Sequence, residues 1–141
     1  MRIHGSCHCG NFAFDLRWEP DPEAIPARAC TCSFCRKHAA VWTADPAGVL
    51  RVRVRDPARV TKYAFATKTA DFHVCTACGA VALATCTIDG RLFAVVNVNT
   101  FDDVDPSLLR HASVDFDGEA VESRLARRSQ RWIGDVGIAV G

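Results

Sequence analysis

Apolar and polar positions alternate along much of this chain. "NFAFDLRW" sets Phe12 and Phe14 against smaller or polar neighbours, the period of a half-buried strand. "VLRVRVRD" alternates strictly, with Leu50, Val52 and Val54 on one face and Arg51, Arg53 and Arg55 on the other. "TKYAFAT" and "DFHVC" also read as strands. "AVALATCTIDGRLFAVVNV" predicts a hairpin turning at Asp89-Gly90, a dipeptide that suits the positive φ angles of a type I′ turn. Helical signal is sparse. "SFCRKHAAV" predicts a short helix and "DPSLLRH" a single helical turn. "EAVESRLARRSQRW" has helical propensity, with Val121 and Leu125 one turn apart. The three prolines of "EPDPEAIP" predict a loop. The expected fold is mainly β, largely antiparallel, with little helix. No repeat, low-complexity tract or linker divides the chain, so residues 1–141 are expected to form one domain.

Composition narrows the class. Hydrophobic residues make up 49% and charged residues 23%, ordinary globular values that argue against disorder. A net charge of +1 supplies no bulk attraction toward nucleic acid or membrane. No charge-free apolar run reaches the ~18 residues of a membrane span. "MRIHGSCHCG" carries no hydrophobic signal region, so a cytoplasmic location is expected. Structural disulfides are disfavoured there, and eight cysteines call for another role. Metal binding, with zinc first, is the leading one.

The cysteines fall into sets. Cys7 and Cys9 in "SCHCG" would share a face if the strand continued through them, with His8 pointing away. Cys75 and Cys78 in "VCTACG" have zinc-knuckle spacing, and Gly79 follows where a tight turn often needs a residue without Cβ. Together these four predict a closed site with no room for substrate. The competing reading, a redox dithiol at Cys75 and Cys78, leaves the first pair unexplained. "CTCSFCRKH" holds Cys30, Cys32 and Cys35. Cys30 and Cys32 can share a strand face, and Cys35 follows Cys32 by one helical turn. Amides of a helix starting near Ser33, with Arg36 and Lys37, would favour thiolates. Three thiolates on zinc leave one position for water or a substrate thiol. If His38 or Cys86 filled it, this would be a second structural site. Cys86, in a predicted strand, reads instead as a buried free thiol.

The ordered series "GSCHCGNFAF", "CTCSFCRKH" and "FHVCTACGA" resembles the glutathione-dependent formaldehyde-activating enzyme family, which includes centromere protein V-like proteins. The resemblance runs from about Ile3 to Asn99 and more weakly to Val114. It implies a β-tent fold, a structural zinc on Cys7, Cys9, Cys75 and Cys78, and a second zinc on Cys30, Cys32 and Cys35. It also implies a carbon–sulfur lyase that joins glutathione to formaldehyde as S-hydroxymethylglutathione. On this reading Cys30, Cys32 and Cys35 are the candidate catalytic set, and a small thiol and a small aldehyde are the expected partners. The alternative is a non-catalytic zinc module that binds a protein.

Other residues carry weaker signals. His8, His38 and His73 flank cysteines and are expected at the surface or behind the ligands. Trp42, Tyr63 and Phe65 read as core. Asp102, Asp103 and Asp105 read as a solvated turn, since the Gly and distal Glu of a calcium loop are missing. The arginines at 51, 53 and 55, and those at 124, 127, 128 and 131, read as solvated faces.

Overall fold

A computed structural model describes residues 1–141 as two β-sheets packed around one core. The first sheet contains β1 (Arg2–Ser6), β2 (Phe12–Arg17), β5 (Val49–Val54) and β11 (Asp135–Val140), in the order β1-β2-β5-β11. The alternation seen in the sequence sets its register. Phe12, Phe14 and Leu16 lie opposite Val54, Val52 and Leu50, and all six are buried. The intervening polar residues face outward. Asp15 accepts from Arg53 at 2.9 Å and also contacts Arg2 and His4, while Arg51 bonds Asp135 at 2.9 Å. The Arg51–Arg53 stripe is thus locally neutralised, as expected of a solvated face.

The second sheet contains β3 (Ile25–Cys30), β4 (Val41–Thr43), β6 (Val60–Tyr63), β7 (Asp71–Cys75), β8 (Val81–Ile88), β9 (Arg91–Asn97) and β10 (Leu109–Val114). Its order is β10-β3-β4-β9-β8-β7-β6. The β8–β9 hairpin turns at Asp89 (φ 50°) and Gly90 (φ 76°), the positive angles expected there. Pairing is antiparallel except that β10 runs parallel to β3, and β11 parallel to β5. The predicted "EPDPEAIP" loop ends earlier than expected, because β3 already begins at Ile25. Pro26 is tolerated there because β4 pairs only with Arg28 and Ala29, which leaves that side of Pro26 without a ladder partner. The helical turn in "DPSLLRH" is a 3-10 turn over Pro106–Leu108, and the chain then enters β10. The "TKYAFAT" strand stops at Tyr63, ahead of positive φ angles at Ala66 and Lys68.

Two α-helices complete the fold: α1 (Ser33–His38) and α2 (Val121–Arg131). Neither is long and apolar enough to cross a membrane. The core joins Ile3, Phe14, Leu16 and Leu50 of the first sheet to Leu83, Ala94 and Val96 of the second, with Ile133 closing it beside Ala94.

One close approach fixes how β1 meets β2. Gly5 pairs with Phe14, and a Cβ on Gly5 would fall 2.6 and 2.7 Å from two ring carbons of Phe14, and nearer still to Cζ. Phe14 is buried and packs edge-on to Phe101 at 6.2 Å, so it has no room to withdraw. Gly5→Ala is expected to destabilise the protein by about 1–3 kcal/mol, as overpacking does. Urea unfolding checks this. The double variant Gly5→Ala/Phe14→Leu should lose less than the sum of the two single changes.

Candidate functional site

Two short turns bring four cysteines together. β1 ends at Ser6, so Cys7 to Gly10 form a turn rather than the strand continuation expected from their spacing. The cause is local. The Gly10 amide donates to the Cys7 carbonyl at 3.0 Å, and Gly10 sits at φ 81°. The second turn repeats this design: the Gly79 amide donates to the Cys75 carbonyl at 2.7 Å, and Gly79 also has φ 81°. The Sγ atoms of Cys7, Cys9, Cys75 and Cys78 lie within 4.8 Å of one another. Cys7 to Cys9 is 3.8 Å and Cys9 to Cys75 is 3.5 Å. Four sulfurs ~2.3 Å from a tetrahedral ion stand ~3.8 Å apart, so the donor set fits a metal without rearrangement. The thiols are already unequal. Burial pushes Cys7 up to about 12. Cys78, against its own burial, is held at about 6 by backbone N–H groups of Ala80 and Cys9 and by the neighbouring thiols.

The other three cysteines meet where β3 passes into α1. Cys30 ends β3, Cys32 caps α1, and Cys35 lies buried in its first turn. Cys30 and Cys32 do not share a strand face, since the chain leaves the strand at Cys30 to begin the helix. The Cys32 sulfur accepts from the Cys35 amide at 3.4 Å, the position a serine or aspartate cap would take. The Trp42 indole N–H donates to the Cys35 sulfur at 3.3 Å. All three sulfurs lie within 4.8 Å of one another, and no fourth ligand joins them. Hydrogen bonding with Cys35, then with Cys32, holds Cys30 down to about 5 despite its burial, while Cys30 and burial push Cys35 up. The cluster therefore keeps a thiolate near neutral pH, and it too can hold a metal ion.

No histidine completes either set. His8 is exposed. His38 is exposed on α1 and packs on Phe34 at 4.5 Å. His73 is buried, bonds the Thr85 hydroxyl at 2.7 Å and meets the ring of Phe12. Cys86 is a buried free thiol 3.5 Å from Arg128. Asp102 accepts from Ser6 at 2.8 Å, Asp103 from the His4 amide at 3.0 Å and Asp105 from the Ser107 amide at 2.9 Å, so these carboxylates fasten a loop.

A cavity of about 780 Å³ opens on the three-cysteine cluster. Trp42, Phe65, Phe72 and Val95 form its apolar wall, which gives the predicted core residues Trp42 and Phe65 a second exposure. Tyr63 is not core: it is 49% exposed and stacks on Phe34 at 5.3 Å. The same cavity is lined by Arg124, Arg127, Arg128 and Arg131 of α2 and by Arg28, two residues before Cys30 on β3. Only part of the solvated face expected of the α2 arginines is found. Their i, i+3, i+4, i+7 spacing marks one helical side, on which Arg128 is buried and Arg124 and Arg127 are half-buried, while Arg131 stays exposed as expected and Val121 is 44% exposed. The spacing was visible in the sequence, but the direction it faced depends on where the helix docks. Glu119 pairs with Arg127 at 3.1 Å and reaches Arg124 at 3.9 Å.

The two cysteine sets should separate on mutation. Cys75→Ser opens the four-sulfur site, whose metal can contribute an apparent ~10–16 kcal/mol in small metal-bound domains, against a typical domain stability of ~5–15 kcal/mol. Cys32→Ser opens a site that joins residues close in sequence. Thermal melting should show Cys75→Ser insoluble or greatly destabilised and Cys32→Ser folded. Elemental analysis should find one metal fewer per chain in Cys32→Ser than in the unmodified protein.

Comparison with known proteins agrees with this geometry. The family model described as glutathione-dependent formaldehyde-activating enzyme matches residues 2–115, which include all eight cysteines, the seven of the two clusters and Cys86, and stop short of α2. A crystal structure of a Rhodobacter sphaeroides protein superposes with a TM-score of 0.53 at 31% identity, covering 74% of this chain and 92% of that one. No match was found among curated proteins.

Proposed function

The chain belongs to the glutathione-dependent formaldehyde-activating enzyme family, and from that premise we propose that it is a zinc-dependent carbon–sulfur lyase joining a small thiol to a small aldehyde. The observation that carries this reading is the open three-cysteine cluster at the end of a single large cavity. Glutathione and formaldehyde are the first candidate substrates. In the forward direction the thiol sulfur adds to the aldehyde carbon. One S–C bond forms, the C=O π bond breaks, and the thiol proton ends on the new hydroxyl, giving a hemithioacetal. The reverse reaction releases the aldehyde.

Cys30, Cys32 and Cys35 would hold the second zinc, and Cys7, Cys9, Cys75 and Cys78 the structural one. Zinc in the open site, when bound, lowers the pKa of a thiol ligand and fixes its sulfur. The protein's own groups do the rest. The Trp42 indole N–H fixes the Cys35 sulfur and removes one rotational freedom from the ligand set. Phe65, Phe72 and Val95 keep water from the reacting end. Thr31 and Ser33, which flank Cys32 and line the cavity, offer hydroxyls to the aldehyde oxygen as charge develops there.

One observation favours a rival reading as a zinc module that binds a protein partner. Tyr63 and Phe34 stack at 5.3 Å beside α1 and leave an aromatic ladder partly in solvent. Cobalt substitution tests between the two. The thiolate absorption band should change when glutathione is added, and Cys30→Ser should abolish the change. NMR exchange spectroscopy should show the zinc-loaded protein speeding glutathione–formaldehyde adduct formation over the uncatalysed rate. An unchanged band with every small thiol tried, at an occupied three-cysteine site, would overturn the enzyme reading.

A further inference from the structure

A surface helix ordinarily turns its apolar side chains inward. On α2 the deepest side chain is instead an arginine, Arg128, only 6% exposed, with Arg124 and Arg127 half-buried beside it. One of its Nη groups donates to the Thr69 hydroxyl at 2.8 Å and reaches the Cys86 sulfur at 3.5 Å. Its guanidinium lies over the Trp132 ring at 4.9 Å. No carboxylate pairs with it, and its Nε is buried without any hydrogen-bond partner. Desolvation by burial already works against its charge. An unpaired buried guanidinium is costly, and a hydrophobic side chain of similar volume would fill the space more cheaply. The burial makes physical sense if an anion completes the site.

The neighbouring charges point the same way. Glu119 is committed to Arg127 and Arg124 and makes no ion pair with Arg128. Arg28 is half-buried in the cavity wall and destabilised by the like charges of Arg131 and Arg127 as well as by burial. Neither Arg28 nor Arg131 pairs with an acid. Within the lining, five arginines stand against Asp115 and Asp117, and Glu119 behind them removes one more charge. Two positive charges remain unmatched, in a cavity that the three cysteines also line.

We infer that Arg128, with Arg28 and Arg131, forms an anion-recognition wall that selects a thiol bearing two carboxylates over its neutral counterpart. Planar guanidinium groups match carboxylates in paired hydrogen bonds, and the Arg128, Arg28 and Arg131 side chains all line the cavity. The thiol part of this inference rests on the reading of the three-cysteine end given above, but the wall can be tested without a thiol. α2 lies beyond residues 2–115, so Arg128 and Arg131 belong to a segment outside the matched part of the chain, while Arg28 lies within it.

The probes are S-methylglutathione, which keeps two carboxylates but has no free thiol, and its dialkyl ester. Titration calorimetry on the full metal-loaded chain should find the diacid bound roughly tenfold tighter than the diester, or more. Arg128→Gln should bring that ratio close to one. Arg131→Gln, at an exposed position, should lower the ratio several-fold. Both variants should keep the metal content and the cobalt-band response to 2-mercaptoethanol. If Arg128→Gln fails to fold, Arg131→Gln and Arg28→Gln carry the test. Equal binding of diacid and diester by the unmodified protein overturns the wall, and so does a ratio that survives in every folded variant. A diacid preference that Arg131→Gln weakens, with no cobalt-band response to any thiol, supports the wall and overturns the thiol reading instead.

Discussion

The meeting of four thiols between the two sheets is the constraint on which the rest of this structure depends. Cys7 and Cys9 lie just after β1 of one sheet, and Cys75 and Cys78 just after β7 of the other. The sulfurs of Cys7, Cys9 and Cys75 approach to 3.5–3.8 Å, a spacing that suits ligands of one tetrahedral ion. The surrounding backbone is built to hold them. The Phe12 amide donates to the Cys7 sulfur at 3.2 Å. Asn11 exchanges hydrogen bonds with Asp56, and the Thr76 amide bonds the Arg59 carbonyl, so the strand connections on both sides are tied to the same corner. With the corner fixed, Phe14 and Leu16 can pack against the second sheet, and the strands of that sheet can carry a cavity on their other end.

The second cysteine set makes a different use of the same chemistry. Its sulfurs sit at a strand-to-helix junction, and two of the three are oriented by donors from different elements: the helix amide of Cys35 for Cys32, and the Trp42 indole for Cys35. Such a site is held by local geometry, and it leaves one side facing the cavity. The two cysteine sets that could hold a metal are thus separate in the fold, one at the corner that joins the sheets and one lining the cavity.

What could be read from the sequence was whatever one neighbour or one spacing decides. Leu50, Val52 and Val54 alternate because β5 lies between two strands with one face buried, and that pattern survives in the chain. The cysteine sets were legible because ligand spacing is a local property. The conformation of Cys7–Gly10 was not, because a single glycine at positive φ turned a strand into a tight turn. β10 and β11 were missed for another reason. Both are largely exposed edge strands, so burial imprints no alternation on them, and their parallel partners β3 and β5 lie about 80 residues earlier in the chain. The arginines of α2 carried a helical period, but period alone does not say which side of a helix meets the protein.

The long span between the halves of the four-sulfur corner also governs how the chain is made. Cys9 and Cys75 are 66 positions apart. At a synthesis rate of ~5–20 residues per second, the first pair of thiols waits roughly 3–13 s for its partners to be made. During that interval two bare cysteines sit next to the growing hydrophobic strands β2 and β5, with nothing to shield them from oxidants or from the wrong metal. The first sheet cannot close then either, since its edge strand β11 follows both cysteine pairs in the chain. Fidelity of assembly therefore falls on the reducing power of the surroundings until the second pair arrives. For this architecture the period of greatest chemical exposure lies in its biogenesis, before any substrate is met.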